Sequence, residues 1–218
     1  MIFTKRTIQE LLENSKIAIT NAMEDEEIKT LLLEYNYDEA KLNEGLELYK
    51  ISDQLYNQQK KEYGEQYAAK ASYEKAFKKA HPKYMEHVTL TRMAFKESPK
   101  KLVEMALHEP RQRRIGLWLK QARIFYDAAI GDDVVLESLS KYGVTKEKLE
   151  AGKQLIQEVE IENRKHKKES GEAQQSTVER DKALENLEEW ISEYYQICKF
   201  ALSEKPQLLE KLGIMARS

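Results

Sequence analysis

The stretch Leu42-Asn43-Glu44-Gly45-Leu46-Glu47-Leu48 reappears 107 residues later as Leu149-Glu150-Ala151-Gly152-Lys153-Gln154-Leu155, with both outer leucines and the glycine retained. At this offset, residues 8–107 align with residues 115–214 without a gap and share 23 identities in 100 positions. Two unrelated stretches of ordinary composition would share roughly 6. The sequence therefore predicts a tandem duplication, with helical repeat 1 over residues 1–110 and helical repeat 2 over residues 111–218, packed together.

The composition favours long amphipathic helices. The chain of 218 residues holds only eight glycines and four prolines, while 34% of its residues are charged and 41% are hydrophobic. Such a mixture is typical of helices that have one apolar face and few breaks. The predicted fold class is all-α: tandem-duplicated long helical hairpins that form an antiparallel up-and-down helical bundle with pseudo-two-fold symmetry.

Each repeat is predicted to begin with the same two helices. Apolar side chains at helical spacing predict a first helix over about residues 5–22 and again over about residues 113–130. Asp25 and Asp132 are expected to cap a short second helix, because a carboxylate there can accept hydrogen bonds from the free N–H groups of the first turn.

A long helical hairpin is predicted to follow in each repeat. Its first helix begins after Asp38 in repeat 1 and after Thr145 in repeat 2, and both residues are good N-caps. Gly64 and Gly171 are expected to end these helices and reverse the chain, because glycine adopts the left-handed conformation without a Cβ penalty. Pro82 is expected to kink or interrupt the returning helix in repeat 1 only.

Two arrangements of the hairpins remain open at this point. The two hairpins can combine into one shared four-helix bundle, or each repeat can close its own bundle with its first helix. The shared bundle is favoured because each hairpin has a long, narrow apolar seam that one hairpin alone cannot bury well.

The charge distribution argues against nucleic acid and anionic membranes as partners. The net charge of −2 comes from 36 basic and 38 acidic residues that are mixed along the chain, so no long-range field would attract a polyanion. The basic runs 111–114 and 164–168 are bordered by acidic residues and are interpreted as solvated helix ends.

Targeting signals are also not expected. The N-terminal residues lack a continuous apolar region, and no run of eighteen apolar residues occurs, so neither an export signal nor a membrane span is expected. A lone cysteine, Cys198, fits a reducing compartment. The expected location is the cytoplasm.

No pattern in the sequence favours catalysis or a cofactor. A di-iron bundle needs Glu-x-x-His spacing, whereas the nearest pairs, Glu104 with His108 and Glu162 with His166, are four residues apart. Cys198 lies on an apolar stripe and is interpreted as a buried structural thiol. No metal site and no cofactor are expected, and the chain is not expected to be an enzyme.

Tyrosine is the least ordinary feature of the composition, with twelve residues. Several, including Tyr35 and Tyr142, are expected on or beside the core stripes. Four others crowd the first hairpin and align with non-aromatic residues in repeat 2, so they are a candidate interaction surface because exposed aromatic side chains are enriched at binding interfaces. These are Tyr56, Tyr63, Tyr67 and Tyr73.

Two hypotheses about function follow from the sequence. The first is a non-catalytic protein-interaction or scaffolding module, which would bind a protein partner or associate with itself. The alternative is a ligand- or metal-binding bundle, with or without enzymatic activity, whose site lies between the two repeats where side chains from both copies meet.

Overall fold

The computed structural model describes residues 7–215, and every regular element in that range is an α-helix. The predicted all-α class is confirmed. The eight helices are α1 (Ile8–Glu24), α2 (Glu26–Leu33), α3 (Glu39–Ala94), α4 (Pro99–Glu104), α5 (Ile115–Ile130), α6 (Asp133–Ser140), α7 (Lys146–Ala201) and α8 (Gln207–Lys211).

The helix boundaries recur at the offset found in the sequence. Helices α5, α6 and α7 each begin 107 residues after α1, α2 and α3, respectively. The left-handed residues recur at the same spacing: Asn36 (φ 62°) with Gly143 (φ 75°), and Ala106 (φ 54°) with Gly213 (φ 69°). The two halves of the chain therefore turn at matching positions.

The predicted N-caps are confirmed. The Asp25 carboxylate accepts hydrogen bonds from the backbone N–H groups of Glu27 (3.1 Å) and Ile28 (3.2 Å) at the start of α2. Asp132 does the same for the first turn of α6. Asp38 accepts from the backbone N–H of Lys41 at the start of α3. These side chains satisfy N–H groups that have no partner within their own helix.

The predicted reversals at Gly64 and Gly171 are wrong. Both glycines lie inside continuous 56-residue helices, α3 and α7, so the expected hairpins do not form. Neither glycine has the positive φ that a helix-ending reversal requires. One helical glycine costs only about 1 kcal/mol relative to alanine, which the helical residues on either side can offset. Pro82 also lies within α3 and does not interrupt it.

The described residues divide into two compact units that do not coincide with the repeats. Unit 1 contains residues 7–63 and 172–215, and unit 2 contains residues 64–171. Each unit therefore combines segments of both repeats, and α3 and α7 each contribute to both units. Neither arrangement considered from the sequence is therefore correct: a repeat does not close its own bundle, and the favoured four-helix bundle of two hairpins does not form, because α3 and α7 are each a single helix.

The core of unit 1 lies among α1, α2, the first part of α3, the last part of α7 and α8. Within it α3 and α7 run antiparallel, with the Ser52 hydroxyl donating to the Ala183 carbonyl (3.0 Å). Gly45 brings α3 close to the Trp190 ring, since a Cβ at Gly45 would overlap that ring. Fully burying a large apolar side chain stabilises the fold by about 1.5–3 kcal/mol.

The core of unit 2 is built from the equivalent helices, with repeat 2 in place of repeat 1 and repeat 1 in place of repeat 2. These are α5, α6, the first part of α7, the last part of α3 and the segment around α4. Gly152 lies against Tyr126 of α5, whose ring a Cβ at that position would overlap. Both glycines of the repeated LxxGxxL stretch thus make room for an aromatic ring, although the ring comes from a different helix in each unit.

Candidate functional site

The four tyrosines proposed from the sequence all lie on α3, but their environments differ. Tyr63 is 38% exposed and Tyr67 is 67% exposed. Within residues 7–215 neither ring forms an aromatic contact, and neither hydroxyl forms a hydrogen bond. These two side chains are available to a partner.

Tyr56 and Tyr73 are packed instead. Tyr56 lies against the core of unit 1, and the Lys60 ammonium group sits 4.0 Å from its ring centroid. Tyr73 lies against the core of unit 2 and stacks on His166, with ring centroids 5.8 Å apart and planes within 6°. Burial raises the pKa of Tyr73. Comparison of the repeats showed where the copies differ, but it could not show which of these rings would be covered.

Tyr35 and Tyr142, which were expected on or beside the core, are 43% and 46% exposed. That expectation is wrong. Tyr35 lies in the turn after α2, and Tyr142 lies in the turn after α6. Two residues further along the chain, Tyr37 and Val144 are buried in the cores instead. The residue between them, Asn36 or Gly143, has a positive φ and changes the direction of the backbone, so that the tyrosine faces outward and the later residue enters the core.

A pocket of roughly 270 Å³ opens in unit 2, where α3 faces the chain that leads into α5. Tyr73, Phe77 and His81 line it from α3, and Arg111, Arg113 and Trp118 line it from the other side. The first three residues belong to repeat 1 and the last three to repeat 2. No local pattern in the sequence predicts this pocket, and its arginines were expected to belong to a solvated helix end.

The aromatic rings of the pocket form a packed group. Phe77 lies 5.0 Å from Trp118 and 5.2 Å from His81, measured between ring centroids. Trp118 also meets Tyr84 edge to face at 5.5 Å. These ring contacts form an aromatic wall on one side of the pocket.

Positive charge lies at the rim of the pocket. Nη1 of Arg111 is 2.8 Å from Nε2 of His81, which acts as the acceptor because a guanidinium can only donate. Burial, and then the nearby Arg111 charge, lower the pKa of His81, so the imidazole is neutral at pH 7. Neither Arg111 nor Arg113 pairs with a carboxylate within the described range. Their charges are therefore free to meet an anion.

The segment that carries Arg111 is held by side-chain hydrogen bonds. The Gln121 side chain of α5 accepts from the backbone N–H of Gln112 (3.1 Å) and donates to the backbone carbonyl of Ala106 (2.9 Å). The Arg92 guanidinium donates to the carbonyls of Leu107 and Glu109. The connector between the repeats is thus held by side chains of both α3 and α5.

Two groups that could take part in catalysis are removed from solvent. Cys198 is fully buried, and burial raises the pKa of its thiol to about 12. A thiol with such a pKa is not a nucleophile near neutral pH. His87 is also fully buried, and its Nδ1 lies 3.1 Å from the Tyr126 hydroxyl. Burial lowers the pKa of His87 to about 4.

Comparisons with protein-family models, with curated proteins and with solved structures find no match to this chain. Among the described helices, none is both long enough and apolar enough to cross a membrane.

Proposed function

We propose that this protein is a non-catalytic interaction module that binds another protein, or a second copy of itself, through a surface that includes Tyr63 and Tyr67. The observation that carries the proposal is the exposure of these two rings one helical turn apart on α3. Tyrosine contributes a large contact area at a small cost in side-chain entropy and often dominates the affinity of an interface.

Burial of the reactive groups supports a non-catalytic role. The Cys198 thiol packs in the core of unit 1, and the His87 imidazole is buried inside unit 2. Their burial favours their uncharged forms, which suit packing rather than proton transfer with a bound substrate. The proposal places the protein in the cytoplasm, where a lone thiol stays reduced.

We also infer that the chain arose by tandem duplication. Three observations support this inference: the 23 identities at one offset, the helix starts at the same offset, and the matching left-handed residues. The pseudo-two-fold symmetry predicted with the duplication remains a prediction. If the duplication is correct, Tyr63 and Tyr67 mark a difference between the copies, since Ser170 and Gln174 align with them.

The interaction is tested by replacing Tyr67 with a photoreactive phenylalanine analogue in living cells of the host. We expect a discrete crosslinked product, which mass spectrometry identifies as another protein or as this chain. A second Tyr63→Ser substitution should abolish the product, because a residue that dominates an interface contributes about 2 kcal/mol or more to binding.

The control places the same photoreactive residue at Tyr142, which is also exposed but lies in the turn after α6. Equal products from positions 67 and 142 would contradict the proposal, as would a product that survives Tyr63→Ser. Circular dichroism of the variants should match that of the unmodified protein, because substitutions at exposed positions change stability by only about 0.5 kcal/mol.

A further inference from the structure

The geometry points to a second function in unit 2: the pocket between α3 and the start of α5 binds a small organic anion that carries a planar ring. This inference is independent of the proposed interaction function, because Tyr63 and Tyr67 do not line the pocket.

The charges at the rim select an anion. The Arg111 guanidinium lies at the pocket through its contact with His81, Arg113 also lines the pocket, and neither arginine is neutralised by a carboxylate among the described residues. A guanidinium presents a planar set of N–H donors that matches a carboxylate or phosphate, often through two parallel hydrogen bonds. His81, which is neutral near pH 7, does not add a charge but orients Arg111 through the 2.8 Å contact with its Nε2.

The walls select a planar ring. Tyr73 and Phe77 are only half-buried, so parts of their rings remain available beside the charged rim. Ile115 adds an aliphatic side chain from the first turn of α5. Aromatic rings prefer offset or edge-to-face contacts with other rings, and such contacts add affinity beyond the area they bury.

The volume limits the size of the ligand. Sites for drug-sized molecules usually measure about 300–1,000 Å³, so a pocket of roughly 270 Å³ suits one or two rings with a single acidic group. The pocket is also preformed, because Gln121 fixes the backbone of Gln112 next to Arg111. Preformed sites bind with a smaller loss of conformational entropy.

The test uses 2-naphthoate as the probe and follows the two tryptophan indole N–H signals of the full-length protein by ¹H–¹⁵N NMR. Trp118 lines the pocket, whereas Trp190 belongs to the core of unit 1 and serves as an internal control. The signals are assigned with a Trp190→Phe variant. We expect a saturable shift of the Trp118 signal while the Trp190 signal stays in place.

Two comparison ligands separate the contributions of charge and ring. The neutral 2-naphthamide keeps the rings and loses the charge, and cyclohexanecarboxylate keeps the charge and loses the planar ring. Both should bind at least about tenfold more weakly than 2-naphthoate, because each loses one of the two recognised features. Equal binding of either compound would overturn the assignment of the ligand class.

Substitutions locate the site. The double variant Arg111→Gln with Arg113→Gln should raise the Kd for 2-naphthoate about tenfold or more, since a lost charge-assisted pair costs at least that factor. The double variant Arg164→Gln with Lys167→Gln is the matched control, because it also removes two positive charges from exposed positions of unit 2 that do not line the pocket. Equal weakening in both variants, or no saturable shift of Trp118 with the unmodified protein, would overturn the proposal.

Discussion

His87 shows how one residue makes the stability of unit 2 depend on pH. Burial holds the pKa of His87 at about 4 in the folded protein, below its ordinary value of 6.5. Between these two values the unfolded chain binds a proton that the folded protein does not, so stability falls as the pH falls from about 6.5 to about 4. Above about pH 6.5 His87 is mainly neutral in both the folded and the unfolded chain, so it no longer changes the free energy of unfolding with pH.

We therefore expect the free energy of unfolding to drop by about 3 kcal/mol across this window because of His87 alone. The measurement is urea unfolding at several pH values, and the quantity of interest is the difference between the unmodified protein and His87→Gln. His108→Gln is the control, because His108 is exposed. Parallel pH profiles for the unmodified protein and His87→Gln would show that His87 is not responsible.

At the scale of the element, the two glycines of α3 have opposite roles. A Cβ at Gly45 would overlap the Trp190 ring, whereas a Cβ at Gly64 would meet no atom within 4 Å. Gly45→Ala should therefore destabilise the protein by about 1–3 kcal/mol through overpacking. Gly64→Ala should stabilise it by about 0.5–1 kcal/mol, because alanine in a helix loses less conformational entropy than glycine.

Helix α7 offers the same comparison between Gly152, which lies against Tyr126, and the open position Gly171. Thermal unfolding of the four single variants distinguishes a continuous helix from a reversal. If Gly64→Ala and Gly171→Ala lower the melting temperature, the glycines occupy left-handed turns and α3 and α7 are interrupted there.

At the scale of the whole molecule, the division into units predicts which fragment folds by itself. Residues 64–171 contain all of unit 2 in one uninterrupted segment. This fragment should unfold cooperatively as a monomer, with a stability of about 5 kcal/mol or more, the ordinary range for a single domain. Sedimentation and thermal unfolding followed by circular dichroism provide the measurement.

The fragment 111–218 has the same length and contains the whole of repeat 2, which makes it the matched control. It lacks the part of α3 that carries the buried residues Tyr84 and Val88 of unit 2, and it lacks α1 and α2 of unit 1. We expect it not to fold as a monomer. A cooperatively folded monomer of residues 111–218 would show that the repeat is the folding unit.

The sequence by itself determined the local features: the all-α class, the helix starts, the capping residues Asp25 and Asp132, and the apolar stripes that enter the cores. These features depend on residues close together in the chain, and the second copy repeats each signal. Only the tertiary structure decided that α3 and α7 continue through Gly64 and Gly171, because a glycine permits both a helix and a reversal. The pairing of segments from different repeats, and the pocket that joins Phe77 to Arg111, depend on contacts between distant residues that no local pattern encodes.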